Sequence, residues 1–150
     1  VPGRSASDDP WGELPLLVDT SAWARAGHST TRDSWLRALL DDRLRLSPLV
    51  RLEILWSARG GEEFDGLGER LDVVRPAPLS AAVIRAAEAA MRALAHRSAG
   101  TQRLPLIDYL VAAAAQELGA AVIHYDHDYD TLAEVLEFES LWLAPAGTIP

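Results

Sequence analysis

Two continuous apolar runs, each closed by an aspartate, constrain the fold of this chain more than any other feature. Leu14-Pro15-Leu16-Leu17-Val18 ends at Asp19, and Ala120-Ala121-Val122-Ile123-His124-Tyr125 ends at Asp126. A short run without polar alternation reads as a strand covered on both faces, and such strands belong to parallel sheets packed between helices. The carboxylates that close the runs then stand at strand ends, the edge at which open α/β sheets bind ligands.

Helical signals fill the intervals. Thr31 to Asp42 carries Trp35, Leu36, Leu39 and Leu40 at helical spacing. A short strand around Arg45 and Leu46 leads into Ser47-Pro48, an N-cap and a first-position proline, opening a helix that stops before Gly60-Gly61. Residues 62–71 read as helix and 72–75 as strand, before a break at Pro76-Ala77-Pro78. Ser80 caps a long helix to about His96, with Val83, Ile84, Ala87, Met91 and Leu94 expected on one face. Pro105 starts another helix, which Gly119 stops; Thr131-Leu132-Ala133-Glu134 matches a capping box, and Leu141 to Leu143 forms a last strand. Alternating strands and helices predict an α/β fold around a parallel sheet. Residues 1–13, rich in turn formers and without periodicity, are set apart as a flexible arm or a cloning remnant, leaving one domain over residues 14–150.

Two further acids interrupt apolar sequence. Glu53 lies inside Leu49-Val50-Arg51-Leu52-Glu53-Ile54-Leu55-Trp56, and Asp108 follows Leu104-Pro105-Leu106-Ile107 in the first turn of its helix. A buried carboxylate is costly unless it is paired, hydrogen-bonded or bound to metal, so Asp19, Glu53, Asp108 and Asp126 converging on one strand edge call for a shared cation. Oxygen ligands select Mg²⁺ or Mn²⁺, whose chemistry with such a site is phosphodiester hydrolysis by activated water. Each acid also has an ordinary explanation. Asp19 can cap a helix, Glu53 can pair with an arginine, Asp108 can face a helix dipole, and Asp126 can begin an Asx-turn. Thr20 and Ser21 either position a metal-bound water or cap the next helix. His124 and His127 flank Asp126 and are expected to be structural rather than general bases.

Composition removes competing chemistries. There is no cysteine, which excludes disulfides, thiolate zinc sites and a cysteine nucleophile. All 14 basic residues are arginine, which excludes Schiff-base chemistry and a P-loop lysine. A net charge of −8 argues against nucleic-acid binding through bulk charge. It leaves a metal-filled nuclease site open, and it suits a basic protein partner. No apolar stretch approaches the roughly 20 residues of a membrane helix, so a soluble, cytoplasmic protein is expected.

Four segments in order carry a specific resemblance: Leu17-Val18-Asp19-Thr20-Ser21-Ala22, Ser47-Pro48-Leu49-Val50-Arg51-Leu52-Glu53, Leu106-Ile107-Asp108-Tyr109-Leu110-Val111 and His124-Tyr125-Asp126-His127-Asp128-Tyr129. They resemble the acidic motifs of PIN-domain ribonucleases, and of VapC-type toxins in particular, over Leu14 to Pro145. The resemblance implies a five-stranded parallel sheet in the order 3-2-1-4-5 between helices, forming a three-layer α/β/α fold. It implies a homodimer and endonucleolytic RNA cleavage that depends on one or two Mg²⁺ or Mn²⁺ ions. The metal ligands and catalytic residues would be Asp19, Glu53, Asp108 and Asp126, with Asp128 an additional nearby acid. A VapB-type antitoxin would be the partner, inserting a basic side chain among the acids. Tyr129 stands where many relatives have phenylalanine, a difference expected to affect packing and not the acids.

Other readings compete. A PIN fold without turnover would act as a binding module. Asp126, Asp128, Asp130 and Glu137 imitate a calcium loop, but Thr131 replaces the required glycine and a strand enters the loop. A haloacid-dehalogenase-type phosphatase would need a lysine that is missing.

Overall fold

The computed structural model describes residues 9–150. Along the chain run β1 (Leu16–Val18), α1 (Thr20–Trp23), α2 (Arg32–Leu40), β2 (Leu44–Leu46), α3 (Pro48–Trp56) and α4 (Gly61–Leu71). There follow β3 (Arg75–Pro76), α5 (Ala81–Arg97), α6 (Leu106–Leu118), β4 (Ala121–His124), α7 (Asp128–Leu132) and β5 (Glu139–Trp142). All pairings are parallel, and the sheet order is β3-β2-β1-β4-β5.

The apolar runs occupy the places their composition demands. β1 and β4 are buried at every position and lie side by side, with Val18 opposite Ile123. Burying such side chains contributes roughly 1.5 to 3 kcal/mol each, which outweighs any local preference of a three-residue strand. β1 pairs with β2 on one side and β4 on the other, so the sheet reverses direction of growth between β1 and β4. That reversal opens a crevice beyond the carboxyl ends of these two strands.

The helix α6 is nearly all apolar, and Val111 to Ala115 are all buried. Small alanine side chains let it approach both α5 and the central strands closely. Gly119 ends it in a left-handed conformation at φ 62°, which turns the chain directly into β4. Ser47 caps α3 through Leu49 N–H, and Ser80 caps α5 through Val83 N–H, as their positions predict.

Several local expectations change. Pro76 lies inside β3 rather than in a break; this is an edge strand, where the missing N–H costs no ladder bond, and Ala77 N–H continues the pairing to Leu46. The face of α5 rotates: Val83, Ala87, Ala90 and Leu94 are buried, while Ile84 is exposed. Thr131 does not cap a helix, because α7 begins three residues earlier at Asp128 and Thr131 lies in its last turn. Of the segment expected to form an arm, residues 1–8 lie outside the described residues. Trp11 is buried edge-to-face on Trp35, and Arg43 pairs with Asp9 at 2.9 Å. Among the described residues, no helix is long and apolar enough to cross a membrane.

Candidate active site

Asp19 follows β1 directly and caps α1. Its Oδ2 accepts from the backbone N–H of Ser21 at 3.0 Å and from the Ser21 hydroxyl. The same Ser21 oxygen accepts from Tyr125 N–H at 2.9 Å, so one hydroxyl ties the end of β1 to the end of β4. Asp19 is therefore the cap of α1, and Ser21, expected either to cap the helix or to position a metal-bound water, lies within the helix and bridges Asp19 to Tyr125. Thr20 Oγ1 is buried without a hydrogen-bond partner among the described residues.

Asp108 enters from the first turn of α6 and Asp126 from the loop after β4, while Asp128 opens α7. Asp108, Asp126 and Asp128 each present an oxygen, and these oxygens lie within 4.8 Å of one another. Asp128, expected only at the margin, therefore belongs to the tightest acidic group. The reason is local: Asp126 Oδ1 accepts from Asp128 N–H at 2.9 Å, an Asx-turn that folds the second acid back beside the first.

Asp108 is almost completely buried, and its Oδ2 has no hydrogen-bond partner among the described residues. Burial, reinforced by the charges of Asp19, Asp126 and Asp128, pushes its pKa up from 3.8 to about 7. Burial and the neighbouring Asp126 also raise Asp128. An orphaned buried carboxylate oxygen facing like charges is costly, and a hard divalent cation removes that cost. The all-oxygen donor set thus fits Mg²⁺ or Mn²⁺.

Glu53 sits half-buried on α3, which packs against both α1 and α6. It lies outside the group of three, and its carboxylate has no hydrogen bond or ion pair among the described residues. Its neighbour Arg51 pairs instead with Asp72 at 2.8 Å. Asp130 also leaves the cluster: it accepts from Ser140 Oγ at 2.7 Å and from Trp142 Nε1. Glu137 is exposed. The calcium-loop arrangement is therefore not formed.

Two groups were not legible as site components. Tyr129 is fully buried, and its hydroxyl lies 2.7 Å from Asp19 Oδ1 and 3.2 Å from Asp108 Oδ1. This corrects the expectation that the aromatic at this position does not touch the acids. A phenol has one proton; the shorter contact makes Asp19 Oδ1 its main acceptor and Asp108 Oδ1 the weaker one. Burial and the two aspartate charges raise the phenol well above its usual range, so it keeps its proton.

His124 is the other. It is fully buried, its Nδ1 accepts from Asp126 N–H at 3.1 Å, and its Nε2 meets Ser140 Oγ at 2.7 Å. Those partners define a neutral ring with the proton on Nε2, and burial lowers its basicity to about 4. Both nitrogens are engaged, so His124 shapes the backbone of Asp126. His127 is largely exposed, 3.7 Å from Asp130.

The PIN domain family model matches residues 16–135. The chain is 37% identical to Ribonuclease VapC18 of Mycobacterium tuberculosis over 91% of its length and 100% of that protein. It is 33% identical to Ribonuclease VapC51 of the same organism, over 91% of this chain and 98% of that one. Among solved structures, its fold is similar to a chain in the DNA-bound VapBC complex from Salmonella typhimurium, with a TM-score of 0.68 at 14% identity. That match covers 88% of this chain and 100% of the other. FitAcB from Neisseria gonorrhoeae is similar with a TM-score of 0.54 at 23% identity, covering 83% and 96%.

Proposed function

The chain belongs to the PIN-domain family, and from that premise we propose that it is an endoribonuclease toxin whose carboxylates bind Mg²⁺ or Mn²⁺. The observation that carries the reading is the acidic group of Asp108, Asp126 and Asp128 at the switch point of the sheet, with Asp108 Oδ2 buried and unpartnered. Asp19 borders this group through the Tyr129 hydroxyl, and Glu53 is the remaining acid, on the helix α3 that packs against α1 and α6. We assign all five to the metal site.

Bound there, the cation would supply Lewis acidity for a phosphodiester oxygen and lower the pKa of an attacking water. The chain contributes orientation. Ser21 holds Asp19 from one side and Tyr129 from the other, while the backbone turn at His124 presents Asp126 and Asp128 together. Water attack at phosphorus forms one P–O bond and breaks another, leaving a phosphate and a hydroxyl end with no covalent enzyme intermediate.

The acidic surface and the kinship to VapC proteins support a basic VapB-type antitoxin as partner. A mainly apolar cavity of about 550 Å³, lined by Trp23, Trp35, Leu36 and Leu39 together with Arg32, Arg70 and Glu69, gives such a chain a surface to cover. The exposed Leu52 and Trp56, one turn apart on α3, favour a second copy as a further partner, in a homodimer. A cytoplasmic location is part of the same proposal. Incubating the full chain with total RNA and Mg²⁺, then sequencing the new ends, tests the activity. Discrete cuts that vanish in EDTA and with Asp126→Asn are expected. Equal cutting by wild type and Asp126→Asn would refute the assignment.

A further inference from the structure

A phenylalanine would fill the volume of the Tyr129 ring, so the hydroxyl needs a separate account. It is placed with unusual firmness for a single polar atom. The ring is fully buried and stacks on His124 at 4.9 Å, with 30° between planes. His124 is held in turn by Asp126 N–H and Ser140 Oγ, and Ser140 by Asp130. The ring of Tyr129, carried by α7, thus packs on a histidine that β4 and β5 hold in place.

That oxygen meets one atom of each of two acids from distant parts of the chain, Asp19 Oδ1 and Asp108 Oδ1. Asp19 Oδ2 is already engaged by Ser21, so Asp19 is fixed at both oxygens. Asp108 is fixed at Oδ1 alone, which leaves its buried, unpartnered Oδ2 free. We propose that Tyr129 is a positioning residue of the metal site: its hydroxyl sets the mutual orientation of Asp19 and Asp108 and leaves Asp108 Oδ2 as a free ligand. The proposal rests on the reading that these acids hold a divalent cation.

The hydroxyl does not compete with the cation. With both acids ionised the single phenol proton is shared, chiefly with Asp19 Oδ1 at 2.7 Å and more weakly with Asp108 Oδ1 at 3.2 Å, and each of these oxygens keeps a lone pair for a metal. Hydrogen-bonding partners of metal ligands typically carry a factor of roughly 10 to 100 in affinity, through orientation and ligand basicity. A residue that merely packs would carry none.

The test is a Mn²⁺ titration by calorimetry on the full chain, comparing wild type with Tyr129→Phe, with melting of the metal-free proteins as a check of folding. The dissociation constant is expected to rise about tenfold or more in the variant. Saturating Mn²⁺ should return kcat for RNA cleavage toward wild type with KM for RNA unchanged. An affinity equal within about twofold, or a tighter one, overturns the proposal. In that case metal binding by the wild type keeps the reading of the site itself intact. A wild type that binds no metal overturns both.

Should the variant fail to fold, ¹⁹F NMR on wild type carrying 3-fluorotyrosine at its three tyrosines decides the matter. With resonances assigned by Tyr109→Phe and Tyr125→Phe, Mg²⁺ should shift the Tyr129 signal, and an unmoved signal overturns the proposal.

Discussion

Replacing Asp108 with asparagine should stabilise the metal-free protein at high pH, an advantage that shrinks or reverses at low pH. The carboxyl is nearly inaccessible, has one orphaned oxygen and sits among Asp19, Asp126 and Asp128, which together with burial hold it at about 7 in place of 3.8. Because the folded state binds this proton more tightly than the unfolded chain, ionisation opposes folding. The penalty is absent well below pH 3.8 and complete above pH 7. Its full size is roughly 4 kcal/mol, at about 1.4 kcal/mol for each tenfold change in proton affinity. Between pH 5 and pH 8 it grows by roughly 2.5 kcal/mol, since part of it is already present at pH 5. The buried amide introduces its own cost of about 1 to 3 kcal/mol, which does not depend on pH and cancels when the two pH values are compared.

The assay is thermal unfolding in EDTA at both pH values. Relative to wild type, the variant should gain about 5 to 10 °C in Tm on going from pH 5 to pH 8, at about 2 to 4 °C per kcal/mol for a domain of this size. Millimolar Mn²⁺ at pH 8 should then raise the wild-type Tm and leave the variant behind, because only the wild type regains a full ligand set. A Tm difference that is the same at both pH values would refute the reasoning, since it would mean that Asp108 ionises like an exposed carboxyl.

Three other outcomes are expected. His124→Asn should cost stability at pH 7, and the deficit should shrink by up to about 3 kcal/mol as pH falls from 6.5 to 4, because wild type alone must then fold against a proton its buried ring refuses; a pH-independent deficit in urea melts would contradict this. Ser21→Ala should destabilise by about 1 to 3 kcal/mol, since it strips a hydroxyl that serves both Asp19 and Tyr125 N–H; equilibrium unfolding with an unchanged midpoint would show the bridge to be idle. Glu53→Gln should weaken RNA cleavage while leaving metal-free Tm within about 1 kcal/mol equivalent, because its half-buried carboxylate has no partner among the described residues to lose. Cleavage at the wild-type rate would remove Glu53 from the site.

The two central strands and the caps of α3 and α5 were legible because they rest on local rules. Leu16 to Val18 and Ala121 to His124 have no polar face, so they can only be central strands, and Ser47 and Ser80 cap helices by hydrogen bonds two or three residues long. Errors fell where the tertiary setting overrides the local signal. Pro76 reads as a breaker, yet it is tolerated because β3 is an edge. Thr131 and Glu134 have the letters of a capping box, but the turn made by Asp126 has already started the helix at Asp128.

The acids divide in the same way. Strand ends and a first helical turn point Asp19, Asp126 and Asp108 toward the carboxyl edge of a parallel sheet from sequence pattern, while the strand order that makes β1 and β4 neighbours came from the resemblance to PIN domains. Which of them face one another depends on side-chain directions across elements far apart in the chain. Only the folded structure decides that Asp128 joins Asp108 and Asp126, that Asp130 turns away to Ser140, and that Glu53 stands outside the tightest group. Tyr129 marks the limit most clearly. Its hydrophobic ring satisfies every rule for a core residue, and its hydroxyl gains meaning only because β1 and α6 bring two carboxylates to the same point.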